Sequence, residues 1–134
     1  MPSRPVDSTH PADSTPDLPR IVGETSADVH ADAAGSVWQL TPAQRDLDSN
    51  VIVLPPGDEI RRHVGPDLDV LVLVLDGSGT LETEGDTLAL QPGAIVWLPR
   101  RSQRRFIAGD GGLRYFSVHQ RKPGLGITKR PGDV

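Results

Sequence analysis

The residues best suited to chemistry in this chain lie between His63 and Arg104. His63 is followed closely by two acids, Asp67 and Asp69. An imidazole beside a carboxylate can act as a general base, and a lone imidazole can hold a metal ion or donate a hydrogen bond to a ligand. A β-bulge could turn either acid towards His63. The simpler interpretation is a rim histidine that bonds a backbone carbonyl, with solvated turn acids beside Gly65.

Arginines form a second group of candidates. They lie in two clusters: Arg61 and Arg62, then Arg100, Arg101, Arg104 and Arg105. A guanidinium can grip a carboxylate or phosphate through parallel hydrogen bonds, whereas a solvated basic rim needs no ligand. Nucleic acid is not an expected partner, because the net charge is −4, the pI is near 5.4 and aromatic residues near the arginines are few.

Several kinds of site are excluded by what the chain lacks. There are no cysteines, so disulfides, thiolate metal sites and a cysteine nucleophile are excluded. No P-loop, dinucleotide fingerprint or nucleophile elbow is present. The first ten residues lack the apolar core of a secretory signal. The longest apolar run, residues 70–75, is far shorter than the ~20 residues that span a bilayer. We therefore expect a cytoplasmic protein with no membrane partner.

The composition divides the chain into a domain and two tails. Its 134 residues suit one domain, since domains commonly contain about 100–150 residues. Residues 1–35 are rich in Pro, Ser, Thr, Asp and Ala, which predicts a disordered tail. Ile21 and Val22 could dock on the domain, although a solvated tail is the simpler expectation. Residues 36–123 predict a β-barrel, and residues 124–134 predict a second tail.

Short β-rich runs separated by Gly, Pro and Asp fill the domain, a pattern typical of an all-β barrel or sandwich. Only residues 41–48 could form a helical turn, with Thr41 as its cap. The β-rich runs are residues 37–40, 50–54, 59–63, 69–76, 79–84, 86–90, 94–98, 103–107 and 113–120.

The order of residues along these runs predicts which side chains share a face. Residues 70–75 alternate Val and Leu, so one apolar face can line the barrel while the other packs against a second sheet or a partner subunit. Trp97 and Phe106 would be pocket walls if they face inward, although core packing is commoner. Tyr115 and His119 share a face with Ser117, which points into the barrel or outward at a dimer interface.

The spacing of certain glycines, Pro99 and His63 resembles the two motifs of small single-domain cupins. The first pattern, Gly-x5-His-x-His-x3,4-Glu-x6-Gly, is partly matched by Gly57, His63 and Gly77. The second, Gly-x5-Pro-x-Gly-x2-His-x3-Asn, is partly matched by Gly93 and Pro99. The resemblance implies a cupin-type jelly roll, or double-stranded β-helix, that is open at one end and commonly forms a homodimer.

The resemblance assigns four metal-ligand positions, which fall on His63, Gly65, Val70 and Arg104. Gly and Val cannot coordinate a metal, and an always-protonated guanidinium repels a cation. Only His63 is retained, whereas a stable catalytic site generally needs about three protein ligands. The resemblance thus implies no metal and no other cofactor. It also directs Arg104 into the barrel mouth, where its charge needs an anionic ligand or an internal acid such as Asp69.

We therefore predict a metal-independent barrel that binds a small anionic organic molecule. Two alternatives stay open. One is an isomerase-, lyase- or oxygenase-like cupin enzyme with an atypical metal or general-base site around His63. The other is a non-catalytic structural or interaction module. The predicted ligand contacts are His63, Arg104, Trp97, Phe106, Tyr115 and His119.

Overall fold

β-Strands make up the regular structure of this protein. The computed structural model describes residues 18–26 and 33–121. Within these ranges there is no helix, and so none that could cross a membrane. The all-β prediction is confirmed. The strands are β1 (Gly35–Gln39), β2 (Leu47–Leu54), β3 (Glu59–Val64), β4 (Val70–Glu82), β5 (Thr87–Leu90), β6 (Ile95–Leu98) and β7 (Gln103–Gln120).

Two long antiparallel strands, β4 and β7, form the centre of the fold. They pair from Val70, opposite His119, to Glu82, opposite Arg105. The sequence analysis divided each of them into two strands at its Gly-rich stretch, and that division was wrong. The ladder is instead interrupted by register shifts, one of them between Gly77 and Gly79. A bulge bends a strand without ending its hydrogen-bonded ladder, so the glycines mark bends rather than strand ends.

The bends divide the sheet into two halves that face each other. In the first half, β1, β2 and β6 flank the C-terminal part of β7 and the N-terminal part of β4. In the second half, β3 and β5 flank the remaining parts of the same two strands. The rings of Phe106 and Tyr115, from the two parts of β7, stack with centroids 4.9 Å apart. This contact joins the two halves of the jelly roll.

The core lies between the halves and follows from alternation along β4. Val70, Val72 and Val74 are buried, whereas Leu71 and Leu73 on the opposite face are exposed. The interior is completed by Leu81, Leu90, Leu98, Phe106, Ala108, Leu113 and Tyr115. The two-sided apolar pattern of residues 70–75 therefore corresponds to one core-facing side and one outward side.

The helical turn predicted over residues 41–48 does not form. Residues 41–46 make bends, and Leu47 already begins β2. Arg45 holds this loop, because its Nη2 donates to Asp48 Oδ1 at 2.8 Å and its Nη1 donates to the Pro42 carbonyl at 2.7 Å. A single capping signal could not compete with the eight-residue ladder between β2 and β7.

The short segment 18–26 lies against the outer side of the first half. Trp38 Nε1 donates to the Val22 carbonyl at 2.9 Å, and Arg114 Nε donates to the Thr25 carbonyl at 2.7 Å. A side chain on Gly23 would overlap the Trp38 indole. The other residues of the tail predicted over 1–35, apart from 33–35, and the tail predicted over 124–134 lie outside the described residues.

We expect Gly77→Ala to lower the free energy of unfolding by about 2 kcal/mol or more. Gly77 has a φ of +77°, and its added Cβ would overlap the backbone oxygen of Gly112. Gly85→Ala is the matched control, because no atom lies within 4 Å of that Cβ. Urea denaturation measures both. Equal midpoints for the two variants would contradict the assigned packing of β4 against β7.

Candidate functional site

One end of the barrel interior carries most of the polar side chains singled out from the sequence. His63 on β3 lies opposite Arg104 on β7 in the strand register. Tyr115 and His119 lie opposite Val74 and Val70, whose side chains are buried. Directly opposed residues on adjacent strands share a face. The register therefore places these polar side chains on the core-facing side of their strands.

Arg104 is the principal charged group of this interior. Its side chain is only 4% exposed. Nη2 donates to Ser102 Oγ at 2.8 Å and to the Pro99 carbonyl at 3.3 Å, and Nε donates to the Ser102 carbonyl at 3.3 Å. Among the described residues no carboxylate pairs with this guanidinium. A buried positive charge is thus held by neutral oxygens alone.

Burial shifts the pKa of two groups here, Arg104 itself and Tyr115. Burial lowers the pKa of Arg104, because removing the charge from water disfavours the protonated form. Burial likewise raises the pKa of Tyr115 above its ordinary value, and the positive charge of Arg104 opposes that rise. Like an unperturbed tyrosine, Tyr115 is protonated at neutral pH, so its hydroxyl can donate a hydrogen bond.

Two donors in the interior are not used within the described part of the chain. Nη1 of Arg104 makes no hydrogen bond there, and neither does the Tyr115 hydroxyl. Neither atom is among the fully buried side-chain atoms that lack a partner in the described ranges, so an acceptor group from outside the chain could reach both.

Gly65 makes room for the Arg104 guanidinium. A Cβ on Gly65 would overlap Nη2 and Cζ of Arg104, closer than real Cβ atoms approach other atoms. The backbone of Gly65 has no positive φ, so its conformation alone does not require glycine. The arginine therefore fills the space into which a side chain at position 65 would project.

This arrangement tests whether the four positions assigned to metal ligands fit a metal ion, and they do not. Gly65 has no side chain, Val70 is buried and apolar, and the Arg104 guanidinium occupies the adjoining space. His63 is the one side chain of the four that can coordinate. Across the described ranges, no three His, Asp or Glu side chains are grouped to hold a metal ion.

The two acids near His63 are engaged with the loop that precedes β7. Asp69 Oδ1 accepts a hydrogen bond from the Arg100 backbone at 3.0 Å. Asp67 pairs with the side chains of Arg100 and Arg101. Arg101, at the glycine position of the second motif, has a φ of 59°, a left-handed conformation that favours glycine. These contacts agree with the simpler interpretation of turn acids.

His63 and His119 each bond a backbone carbonyl through Nδ1. The partner of His63 is the Arg61 carbonyl and that of His119 is the Gln120 carbonyl, each at 2.9 Å. A carbonyl oxygen only accepts, so each Nδ1 carries a proton in this contact. Nε2 is then the atom that could meet a ligand, as an acceptor when the ring is neutral and as a donor when it is charged.

The two aromatic residues considered as pocket walls have different positions. Phe106 is buried and stacks on Tyr115 inside the barrel. Trp97 is 62% exposed and lies opposite Leu71 on the outward side of β6. It also borders a side cleft, described next, and is not a wall of the core.

A cleft of about 270 Å³ opens between the edge strands β5 and β6, for which β4 is the one pairing partner in the described part of the chain. Leu88, Val96 and Leu98 form its apolar side, and Ser102 lies at its polar side. We call it the seam cleft. The sequence analysis missed it, because no local pattern shows where two unpaired edges meet. Strand alternation gave no signal for Ser102, because this residue lies just before β7 begins at Gln103.

Comparison with known proteins shows what the chain is similar to. A family model described as a cupin domain matches residues 50–119. No curated protein gives a significant match.

Solved structures share the fold. A cupin protein from Bacteroides fragilis is 21% identical, with 63% of this chain and 72% of that chain covered and a TM-score of 0.53. KdgF from a Halomonas species is 19% identical, with 63% of this chain and 79% of that chain covered and a TM-score of 0.55. The DMSP lyase DddQ from Ruegeria pomeroyi is 20% identical, with a TM-score of 0.54 over 60% of this chain. The match covers 41% of DddQ, so this chain spans less than half of that protein. At these identities the likeness shows the fold alone.

We expect Gly65→Ala to destabilise the wild-type protein more than it destabilises an Arg104→Ala variant. In the wild type the methyl group must displace the guanidinium from its three oxygen acceptors, whereas the second background has no guanidinium to displace. A coupling of about 1 kcal/mol or more is expected for groups in contact. Denaturation of the four proteins in a double-mutant cycle measures it. Independent, additive effects would show that glycine at position 65 does not serve Arg104.

Proposed function

This chain belongs to the cupin domain family, and we propose that its barrel binds a small organic anion without the help of a metal ion. The observation that carries the proposal is Arg104, a buried cation with no carboxylate partner among the described residues.

The charge of Arg104 explains why an anion is the preferred ligand. Burying a charge is costly unless it is paired and hydrogen-bonded. Three neutral oxygens satisfy part of the guanidinium, but Nη1 has no partner within the described residues. A ligand carboxylate or phosphate would supply the missing negative charge and accept charge-assisted hydrogen bonds.

Other side chains on the same face would complete the site. The Tyr115 hydroxyl and Nε2 of His63 and His119 are polar groups near the end of the barrel that carries Arg104. Phe106 adds an apolar wall. A mainly apolar pocket with a few convergent polar groups is the usual form of a specific small-molecule site.

The residue types at the ligand positions support metal independence. A guanidinium stays protonated at any physiological pH and repels a cation beside it, and it lies directly against Gly65. No cofactor is therefore part of the proposal. Catalysis by a His63–acid pair is less favoured, because Asp69 is bonded to the Arg100 backbone.

Two of the neighbouring arginines are paired with acids. Arg105 pairs with Glu59 at 2.6 Å and with Glu82 at 3.2 Å, on the outer side of the second half. Arg62 also pairs with Glu82, at 3.0 Å. Partial neutralisation of this cluster supports a small ligand, rather than a nucleic acid, as the partner.

We also propose that two copies of the chain pair through an outer apolar patch, defined by Leu71, Leu73 and Ile95. Leu73 on β4 lies opposite Ile95 on β6, and Ile95 is 70% exposed. Adjacent apolar side chains on the outward face of one sheet favour cover by a second copy with the same patch.

For the anion site, we expect at least one member of a panel of carboxylates and phosphates at millimolar concentration to raise the melting temperature of the untagged protein. Ligand at tenfold its Kd adds about 1.4 kcal/mol, or about 5 °C for a domain of this size. Arg104→Gln should abolish the shift, whereas Arg105→Gln, which changes an outward ion pair, should keep it. An anion panel without effect on the wild type would reject the proposal. So would one bound metal ion per chain, measured by elemental analysis and lost in His63→Ala.

For the dimer, we expect sedimentation of wild-type protein at twice the monomer mass and of Ile95→Glu at the monomer mass. The new charge would be buried without a partner in the interface. Val64→Glu is the matched control, since Val64 is also exposed but lies on β3 in the other half. A monomeric wild type, or dissociation by both variants alike, would contradict an interface at the outer apolar patch.

A further inference from the structure

The seam cleft is connected to Arg104 through shared residues. Pro99 and Ser102 both line the cleft, and both accept hydrogen bonds from the Arg104 guanidinium. Arg104 itself is almost completely buried. A molecule in the cleft would therefore meet the charge of Arg104 through Ser102 first.

Ser102 can pass the effect of that charge into the cleft. A hydroxyl has one proton to donate and two lone pairs. The Ser102 oxygen accepts from Arg104 Nη2 at 2.8 Å, which leaves its own proton for another acceptor. A hydroxyl that accepts from a cation is a stronger donor, because linked hydrogen bonds polarise one another.

The other walls of the cleft suit a hydrocarbon body. Leu88, Val96 and Leu98 come from the edges of the two half-sheets, and the exposed indole of Trp97 borders the same space. The apolar walls continue into the core, since Leu98 is a core residue and the other two aliphatic residues pack against it. Carbohydrate-like ligands would leave hydroxyls unpaired there.

The charges limit the ligand to one negative charge. Arg104 supplies a single positive charge, and Glu84, an exposed acid, lies on the cleft wall. A second anionic group on the ligand would be repelled by Glu84 and would have no cation to offset it. Phosphate dianions and dicarboxylates are disfavoured on the same ground.

We propose that the seam cleft takes the hydrocarbon body of a monocarboxylic acid, whose carboxylate accepts the proton of Ser102 in a hydrogen bond. Ser102 is the contact residue on the cleft side, and Arg104 both polarises it through Nη2 and supplies the direct hydrogen bond from Nη1 that the proposed function assigns to it. This inference rests on the proposed function, because it assigns that anion site its ligand class and its entrance.

Calorimetric titration with simple acids tests the assignment. Benzoate has one charge and an apolar body, acetate has the charge alone, and inorganic phosphate has a higher charge and no body. We expect benzoate to bind about tenfold or more tightly than acetate, and phosphate to give no heat of binding. Ser102→Ala should weaken benzoate about tenfold, the scale of a charge-assisted hydrogen bond, and Ser102→Thr should restore most of it.

Two further variants test the contribution of the cleft walls and provide a control substitution outside the cleft. Leu88→Ala, on the cleft wall and away from the outer apolar patch, should weaken benzoate and leave acetate unchanged. Ser36→Ala, on the outer strand β1, should change neither. Circular dichroism of each variant verifies that it is folded.

The possible failures of the two proposals differ. Benzoate and acetate binding equally, with loss in Arg104→Gln but not in Ser102→Ala, would overturn the seam cleft and leave the anion site intact. No binding of any carboxylate to the wild type would overturn both.

Discussion

The buried guanidinium of Arg104 is the group around which the interior of this barrel is arranged. It lies against the Cα of Gly65, where no side chain fits, and it is held by the oxygens of Ser102 and Pro99. Because the charge is removed from water and meets only neutral acceptors among the described residues, it constrains everything placed near it. Its positive charge disfavours a second cation beside it and opposes the rise that burial causes in the pKa of Tyr115.

The scaffold that presents this group depends on two strands. β4 and β7 each run through both halves of the jelly roll, so one continuous ladder fixes the register of the inward-facing residues in both. Bulges bend these strands without breaking them. The stacked rings of Phe106 and Tyr115, which belong to the same strand, show how closely the two halves approach. The polar side chains on one half are therefore held in a fixed position relative to the side chains on the other half.

Membership of the cupin domain family is compatible with Gly65, Val70 and Arg104 at the positions that the resemblance assigns to metal ligands, because the core is packed from other side chains. Val, Leu and aromatic side chains are buried together around Val72, Val74 and Leu81. Fold and function are separable in this way whenever the functional side chains lie at the end of a core that packs independently. Replacing a coordinating histidine by an arginine needs space for the guanidinium, and Gly65 provides it.

Some features of the protein were determined by local sequence. The period of two along residues 70–75 and 115–119 decides which side chains share a face, and the spacing of Gly57, His63, Gly77, Gly93 and Pro99 was sufficient to place the chain among small cupins. The same spacing singled out His63 and Arg104 as candidate site residues.

Only the tertiary structure decided the rest. It showed that the Gly-rich stretches are bends within strands, that Trp97 points outward, that residues 41–46 form no helix, and that Ser102 links Arg104 to the seam cleft. Alternation states which residues lie on one face but not which face is inside, since that depends on the distant strands with which they pair. The contact between Arg104 and Gly65, 39 positions apart in the sequence, likewise exists only because β3 and β7 are neighbours.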